Sequence, residues 1–209
     1  MEIIPENLTW KDSYKLYTGS ILPRPIALVS TISKGGIPNL APFSNFCGVC
    51  PSPFMVAFAP LIRPEDGTKK DTTLNIEETG QFVINIVTED IVTKVHDTSI
   101  EFAPDIDEFQ ETGLTPIPSS KVLPYRVKES PIQMECVLEN MLKFGEGPGS
   151  SNLVIGRVVK IHIEDTLYKD GKVDLANLKP VGRLAGPYYA KMSELFTLQS
   201  PTKLSNLLR

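Results

Sequence analysis

The clearest pattern along the chain is a period of two, in which apolar and polar side chains alternate. Between residues 131 and 142, and again between 153 and 163, apolar side chains recur at every second position. This period predicts two long strands, each with one buried face. Residues 145–150 are rich in glycine and lie between them, which predicts a flexible hairpin loop. We therefore expect a long antiparallel hairpin in the second half of the chain.

Shorter runs of the same character occur earlier. Apolar, β-branched and aromatic residues are concentrated at 26–31, 37–46, 54–60 and 81–87, and each run predicts a strand. The first two runs are separated by residues 33–36, a Ser-Lys-Gly-Gly sequence that is typical of a turn. These two strands are expected to pair as a hairpin.

Helical patterns are few and short. Residues 72–79 form one predicted helix, with Asp71 as its N-cap and Gly80 as the residue that ends it. A second short helix is predicted at 89–98. Residues 101–126 are rich in proline and acidic side chains, so we expect an irregular surface excursion whose acidic residues form a solvated face.

These elements predict a mostly-β protein. Many strands separated by turns, with only short helices between them, are typical of an antiparallel barrel with helical insertions. A doubly wound nucleotide-binding fold is disfavoured because no G-x-G-x-x-G motif follows the first strand. We found no repeat and no convincing linker, and the length of 209 residues fits one domain over 1–209.

Composition narrows the function classes. The chain is 41% hydrophobic and 22% charged, which is ordinary for a globular protein, and its net charge of −4 argues against broad nucleic-acid binding. No apolar run approaches the roughly 18 residues that span a bilayer. The N-terminus has no secretory pattern and the three cysteines do not make a disulfide framework, so we expect cytoplasmic residence.

The strongest candidate site is the start of the helix at residues 72–79. Lys69 and Lys70 supply positive charge there, and Thr72 and the first helical N–H groups supply directed hydrogen bonds. Because a helix begins with unpaired N–H groups and a partial positive charge, such a start favours a phosphate. Arg63 precedes this segment and could complete the pocket. The alternative interpretation is a solvated basic loop before an ordinary capped helix.

Two further segments have the chemistry to contact a planar ring. Ser44, Asn45 and Phe46 combine a hydroxyl, an amide and an aromatic ring, which suits a heterocycle with alternating carbonyl and N–H groups, although a strand end rich in turn-forming residues is the alternative. Arg183 and Tyr188 lie in a late segment with glycine and paired tyrosines. That segment could stack on a ring or simply pack in the core.

The cysteine and histidine positions do not predict a metal or catalytic site. Cys47 and Cys50 form a C-x-x-C pair, but Cys136, His96 and His162 are scattered, whereas structural zinc needs four ligands. We interpret the pair as two small, partly buried thiols, with zinc or a redox role as alternatives. The histidines are expected to be structural or on the surface.

Taken together, the chain resembles the flavin reductase-like proteins, which bind FMN in a split β-barrel. This resemblance implies a Greek-key split barrel and a homodimer with one FMN per subunit near the dimer interface. The segments that match the family pattern are residues 19–31, 36–44, 69–72, 82–85, 182–184 and 186–189.

The resemblance also implies which residues contact the cofactor. The isoalloxazine ring is expected along residues 44–46, and the phosphate at the helix start with Arg63. Arg24 lies in a matching motif, and Arg183 and Tyr188 are expected near the cofactor or the partner subunit. The complete set of expected FMN-binding residues is Arg24, Ser44, Asn45, Phe46, Arg63, Lys69, Lys70, Asp71, Thr72, Arg183 and Tyr188.

The expected activity follows from the family. NADH or NADPH would pass a hydride to N5 of the flavin, with no side chain acting as acid, base or nucleophile. The reduced flavin would then serve an oxygenase, ferric iron or another carrier. Two alternatives stay open: an FMN-bound electron-transfer protein without a nicotinamide site, and a barrel that acts as a binding module without flavin.

Overall fold

The helices are short and lie mainly in the first two thirds of the chain. The computed structural model describes residues 1–192 and 194–198, and five α-helices lie within these ranges. Two one-turn 3₁₀ segments, Pro5–Asn7 and Asp165–Leu167, accompany them. The helices are α1 Trp10–Ser20, α2 Asp71–Thr79, α3 Val92–Asp97, α4 Glu108–Thr112 and α5 Leu175–Leu178.

Strands dominate the described part of the chain, and the two longest form the predicted hairpin on either side of residues 145–150. In chain order the strands are β1 Arg24–Pro25, β2 Ala27–Ile32, β3 Pro38–Phe43, β4 Phe46–Pro51, β5 Phe54–Phe58, β6 Gln81–Ile86, β7 Pro116–Ile117, β8 Arg126–Val127, β9 Ile132–Phe144, β10 Ser151–Ile163, β11 Tyr168–Lys169, β12 Lys172–Val173, β13 Val181–Arg183 and β14 Tyr189–Lys191.

The main sheet curls on itself because its two edge strands are neighbours in sequence. Its seven strands run in the order β3-β2-β6-β9-β10-β5-β4, with every pairing antiparallel. Only Ser44 and Asn45 separate β3 from β4, so the two edges must approach each other at these residues. The Ala59 amide donates to the Asn45 carbonyl at 2.9 Å, which continues the β4–β5 pairing to this corner. The prediction of a mostly-β Greek-key split barrel with short helical insertions is confirmed.

The barrel interior is packed with aromatic and branched side chains. Phe58 contacts Phe43 with ring centroids 5.2 Å apart and Phe82 at 5.5 Å, and both Phe58 and Phe82 are fully buried. Gly156 on β10 lies directly against the Phe82 ring. A fully buried aromatic centre of this kind fixes the curvature of the sheet and therefore the place where its two edges meet.

A second core lies outside the barrel. Its presence corrects the prediction for residues 101–126. Residues 101–126 are irregular, as expected, but they are not only a surface excursion. Phe109 and Leu114 are buried against Leu28 and Leu40 on the outer faces of β2 and β3. The apolar residues of this segment therefore cover the sheet and hold α4 next to β3.

The other elements compare as follows. The strands predicted in the first half exist with bounds that are shifted or shortened by one or two residues, except that the run at 37–46 ends at Phe43 and a separate strand begins at Phe46. Gly80 ends α2 in the left-handed conformation, as predicted, but Asp71 as N-cap is wrong. Lys70 occupies that position, and Asp71 is the first helical residue. The predicted helix at 89–98 is reduced to α3.

Helix α1 was not predicted. Thr9 caps it, since its hydroxyl oxygen accepts from the Asp12 amide at 3.2 Å and its hydroxyl donates to the Asp12 carboxylate at 2.7 Å. This Thr-x-x-Asp pattern is a sequence signal for a helix start. The helix matters for function because it packs beside the barrel seam. No helix in the described ranges is long and apolar enough to cross a membrane.

Candidate functional site

A continuous groove runs along the line where the two edges of the barrel sheet meet. It begins with a cavity of about 160 Å³ at the start of α2, continues through one of about 190 Å³ beside residues 42–45, and ends in one of about 330 Å³ next to α1. We call these three parts the cationic end, the seam and the aromatic slot. Pro42, Phe43 and Lys70 line both the cationic end and the seam, and Tyr14, Asn45, Ala59 and Leu61 line both the seam and the aromatic slot.

Two cations and two carboxylates meet at the cationic end. The Arg63 guanidinium donates to the Asp71 carboxylate at 2.7 Å and to the Lys69 carbonyl. The Lys70 ammonium contacts Glu101 at 2.7 Å, and this bond holds the pKa of the Glu101 carboxyl below its usual range. Glu101 is half exposed. An anion could therefore displace it from Lys70 at little cost in desolvation.

The start of α2 points unpaired donors toward this end of the groove. Within the described ranges, the amide N–H groups of Asp71 and Thr72 donate to no protein acceptor. The Thr72 hydroxyl oxygen accepts from Asn39 Nδ2 at 2.9 Å, which leaves its proton free to donate. Asn39 and Asn75 also donate to Thr31 Oγ1 at 3.1 and 3.0 Å. This buried network fixes the start of α2 against β2 and β3.

The two adjacent lysines do not share one site. The Lys69 ammonium pairs with Glu77 on the outer side of α2 and lines a different cavity, next to Lys143 and Asn152. Lys70, one residue later, lines the groove. The structure therefore does not bring the two predicted lysines together: the chain direction sends consecutive side chains to opposite sides, and Lys70 is the one that lines the groove.

Glu108 forms part of the floor of the cationic end, although its segment was expected to be a solvated acidic face. Its side chain is buried, and one carboxyl oxygen accepts from the Leu40 amide at 3.0 Å. Burial raises the pKa of Glu108 to about 7, and the nearby carboxylates of Asp71 and Asp107 add to this shift. The carboxyl therefore changes charge near neutral pH beside the proposed anion site.

Ser44 and Asn45 lie at the middle of the groove, where the edges of the sheet meet. Both line the seam, and within the described residues their peptide N–H groups have no protein acceptor. Asn45 Oδ1 accepts from the Tyr17 hydroxyl at 3.1 Å. Phe46 is placed differently, because its side chain packs against the barrel core and does not line the groove.

Arg24 is buried and serves the protein structure. Its guanidinium donates to the carbonyls of Thr18 at 2.6 Å, Ile21 at 3.1 Å and Leu184 at 3.0 Å, and its Nε donates to Ser44 Oγ at 3.3 Å. It thereby joins the end of α1 to the seam. Through its Nε it also holds the Ser44 hydroxyl in place at the seam.

Arg183 and Tyr188 lie together but outside the groove. Arg183 donates to the Tyr188 carbonyl at 2.9 Å and stacks over the Tyr189 ring at 4.5 Å. The Tyr188 side chain is 68% exposed. Since neither residue lines a part of the groove in one chain, their predicted contact with a cofactor would require a partner subunit.

The cysteines and histidines do not form a reactive centre. Cys47 is exposed on β4, which corrects the expectation that both thiols are partly buried, and Cys50 donates to the Pro53 carbonyl. His162 contacts the buried Glu135 carboxylate at 2.6 Å, and His96 contacts the Tyr189 hydroxyl at 3.1 Å. Over residues 1–192 and 194–198, no cluster of His, Cys, Asp or Glu could hold a metal ion.

Several groove residues were not singled out from the sequence. Asn39, Glu101 and Glu108 reach the cationic end through long-range packing and have no local signal. Tyr14 and Tyr17 could have been found through the capping pattern of α1 described above. The rings of α1 complete the aromatic slot together with Ser13, Pro148, Gly149 and Ser151.

Known proteins share this fold over almost the full chain. Component B of a nitrilotriacetate monooxygenase from Bacillus cereus is 40% identical with a TM-score of 0.90, covering 95% of this chain and 98% of that one. A 2-nitrobenzoate 2-nitroreductase from Pseudomonas fluorescens is 32% identical with a TM-score of 0.87, covering 98% of each chain.

A curated relative from Halalkalibacterium halodurans, itself uncharacterised, is 40% identical over 208 residues, which is 99% of each chain. The family described as flavin reductase like domain matches residues 18–176, which include β1 to β10. On this match, and on the closed seven-stranded sheet with its groove, the chain belongs to the flavin reductase like family.

Proposed function

We propose that the groove binds FMN and that the protein is an NAD(P)H-dependent flavin oxidoreductase. The observation that carries this proposal is the continuity of the groove. The hydrogen-bond donors at the start of α2, which suit a phosphate, line the cationic end, and the peptide N–H groups of Ser44 and Asn45 lie at the seam. These two cavities adjoin each other and share Lys70. A ligand with a phosphate at one end and a hydrogen-bonding planar ring at the other fits this arrangement of donors along the groove.

The cationic end and the seam each fit one part of FMN. Lys70, Arg63, the Thr72 hydroxyl and the first amides of α2 would hold the phosphate. Ser44 and Asn45 would hydrogen-bond the pyrimidine edge of the ring. The buried network through Asn39 keeps the helix start in place before a ligand arrives, which lowers the entropic cost of binding.

The expected chemistry belongs to the flavin, which accepts a hydride at N5 when bound. This chain's residues would bind the cofactor, orient it along the seam and exclude water from one side of its ring. The N–H groups of Ser44 and Asn45, being uncharged donors, would stabilise negative charge that develops on the ring. No side chain is assigned as acid, base or nucleophile.

The proposal is tested by an absorbance spectrum of the purified protein with FMN, before and after anaerobic addition of NADH or NADPH. We expect flavin to bind and its visible absorbance to bleach with one of the two donors. Bound flavin that does not bleach would instead favour an electron carrier reduced by another protein. Failure to bind FMN would refute the cofactor assignment.

Lys70 and Lys69 form a matched pair for a sharper test. We expect Lys70→Ala to weaken FMN binding by about 2 kcal/mol, or roughly 30-fold, because it removes one charge-assisted contact to phosphate. Lys69→Ala removes the same charge one residue earlier, but its ammonium contacts Glu77 outside the groove, so affinity should change less than about twofold. Flavin titration by fluorescence quenching measures both. Equal losses in the two variants would contradict the placement.

The physiological partners are also part of the proposal. Similarity to a monooxygenase component and to a nitroreductase supports an oxygenase, or a small organic compound, as the final electron acceptor. We further propose one domain over 1–209, which includes residues beyond the described ranges, and residence in the cytoplasm.

A homodimer is proposed from the resemblance to the family, and exposed apolar side chains on three strands of the sheet are candidates for its interface. Val49 on β4, Phe54 on β5 and Phe144 on β9 are 51%, 41% and 54% exposed. A second copy could cover them and bring its own Arg183 and Tyr188 near the groove. Sedimentation equilibrium should give twice the mass of one chain, and a monomer at micromolar concentration would contradict this.

A further inference from the structure

Glu108 is a buried carboxyl group in the wall of the cavity proposed for the phosphate. It is the first residue of α4 and lines the cationic end, although only 8% of its surface is exposed. One of its carboxyl oxygens accepts from the Leu40 amide at 3.0 Å. Within the described ranges, the other oxygen receives no hydrogen bond from a side chain. This oxygen is therefore available to a ligand in the cavity.

The charges of the other residues that line the cationic end cancel. Arg63 contacts Asp71 at 2.7 Å and Lys70 contacts Glu101 at 2.7 Å, which places two positive and two negative side chains there besides Glu108. The lining is therefore neutral when Glu108 is protonated and carries one negative charge when Glu108 is ionised. A single proton decides whether the cavity repels a phosphate.

The surroundings of Glu108 favour the protonated form. Burial raises its pKa to about 7 although backbone N–H groups stabilise the ionised form, and the carboxylates of Asp71 on α2 and Asp107 raise the pKa further. Strand β3 presents the uncharged residues Asn39 and Leu40 at this point. The other titratable side chains on the surrounding elements are Arg63, Lys70, Lys94, His96, Asp97, Glu101 and Glu111.

Helix α3, which packs against α4, does not supply a counter-charge. The Lys94 ammonium donates to the Gly113 carbonyl at 2.6 Å, and His96 contacts the Tyr189 hydroxyl at 3.1 Å. Asp97 is negative and exposed. The positive groups nearest to the cavity are thus those of Arg63 and Lys70, which pair with other carboxylates.

The two forms of this carboxyl act on an anion in opposite ways. A protonated carboxyl has one O–H donor, and a bond from this donor to a phosphate oxygen would be of the strong, charge-assisted kind. An ionised carboxyl can only accept, and its charge repels the phosphate strongly where little water screens the two groups. Binding of a phosphate and protonation of Glu108 must therefore favour each other, because such coupling is reciprocal.

Building on the proposed function, we propose that Glu108 makes FMN binding proton-coupled, so that the phosphate enters the cationic end together with one proton on the Glu108 carboxyl. The proton comes from the solvent, and no covalent bond of the cofactor changes. Because FMN binds the protonated form preferentially, its affinity is highest below the pKa of the free protein and falls as the pH rises above it. Glu108 thus sets how readily flavin leaves the groove at a given pH.

Flavin titration by fluorescence quenching between pH 7 and 9 tests the proposal. The charge of the phosphate is nearly constant in this range, because its second pKa is about 6. We expect the dissociation constant of the wild type for FMN to rise at least about tenfold from pH 7 to 9, since the protonated fraction that binds tightly decreases. Riboflavin, which has the ring without the phosphate, should bind equally well at both pH values.

Glu108→Gln reproduces the protonated carboxyl, since its amide oxygen can accept from the Leu40 amide while its NH₂ group donates into the cavity. The affinity of this variant for FMN should change less than about twofold from pH 7 to 9, because no carboxyl titrates. At pH 9 the variant should bind FMN more tightly than the wild type. Glu111→Gln is the control, since Glu111 is exposed on the same helix, and it should follow the wild type.

Calorimetry of the wild type provides a measurement that needs no variant. FMN is titrated at pH 8 in two buffers with different enthalpies of ionisation, so that the difference in heat reports the protons exchanged. We expect more than about half a proton to be taken up for each FMN bound, because the free protein is mostly ionised at Glu108 at this pH.

The outcomes separate this inference from the proposed function. If FMN binds at pH 7 but no proton is taken up, or if the wild type and Glu108→Gln have the same pH profile, the role of Glu108 is wrong and the FMN assignment stands. Equal weakening of FMN and riboflavin would also overturn the inference, because the pH dependence would then originate at the ring. A wild type that does not bind FMN at pH 7 would overturn both.

Discussion

Replacing Gly156 with valine is expected to destabilise the protein by about 3 kcal/mol or more. A Cβ atom at this position would lie 2.2 Å from Cζ and 2.9 Å from Cε1 of Phe82. Phe82 cannot move away, because it is fully buried and packs against Phe58 in the barrel centre. Overpacking would therefore push β10 away from β6 and open the barrel. Urea unfolding followed by circular dichroism measures the loss.

Gly48 provides the control for this experiment. Both glycines pair with Val56, Gly156 from β10 and Gly48 from β4, so they occupy corresponding positions on either side of β5. A Cβ at Gly48 would meet no atom within 4 Å. Gly48→Ala should change the free energy of unfolding by less than about 1 kcal/mol. A loss below 1 kcal/mol for Gly156→Val would show that the barrel centre is not tightly packed.

The second large effect is a dependence of stability on pH that originates at Glu108. Its pKa in the folded protein is raised from an ordinary 4.5 to about 7, chiefly by burial. The folded state therefore holds this proton more tightly than the unfolded chain does. The contribution of Glu108 to stability is therefore greatest below the unfolded pKa and falls as the pH rises from about 4.5 to 7, by up to about 3 kcal/mol.

Glu108→Gln removes the charge but keeps an oxygen that can accept from the Leu40 amide. At pH 8 we expect the variant to be more stable than the wild type by up to about 3 kcal/mol, and at pH 4 the two should be similar. Thermal unfolding at a series of pH values measures this difference. Glu111→Gln on the same helix is the control, since Glu111 is exposed. A wild type and Glu108→Gln with parallel pH profiles would refute the assignment.

The fold was largely predictable because its signals are local. The period of two in β9 and β10, the turn between β2 and β3 and the glycine after α2 each report on neighbouring residues. Signals of this kind identify strands and turns whatever surrounds them. The failures have the same explanation. Asp71 looked like an N-cap because a polar residue precedes an apolar run, but the preceding residue, Lys70, adopts the cap conformation.

The candidate site was predictable by segment and not by side chain. The segments around residues 44–46 and 69–72 do meet in one groove. Within them, however, Lys69 and Phe46 turn away while Lys70 and Ser44 turn inward. Which of two neighbouring side chains faces a cavity depends on the exact start of an element. A shift of one residue in that start reverses which of the two side chains faces the cavity.

By itself, the sequence determined the strand content, the cationic helix start and membership in a flavin-related family, because residue type and spacing encode these properties locally. The tertiary structure alone decided that α1 lies along the seam, that Tyr17 reaches Asn45 across 28 positions of sequence, and that Glu108 is buried beside the cationic end. These contacts follow from the closure of a sheet whose edge strands are adjacent in sequence. Closure of the sheet depends on the packing of the whole barrel interior, and no local sequence pattern predicts it.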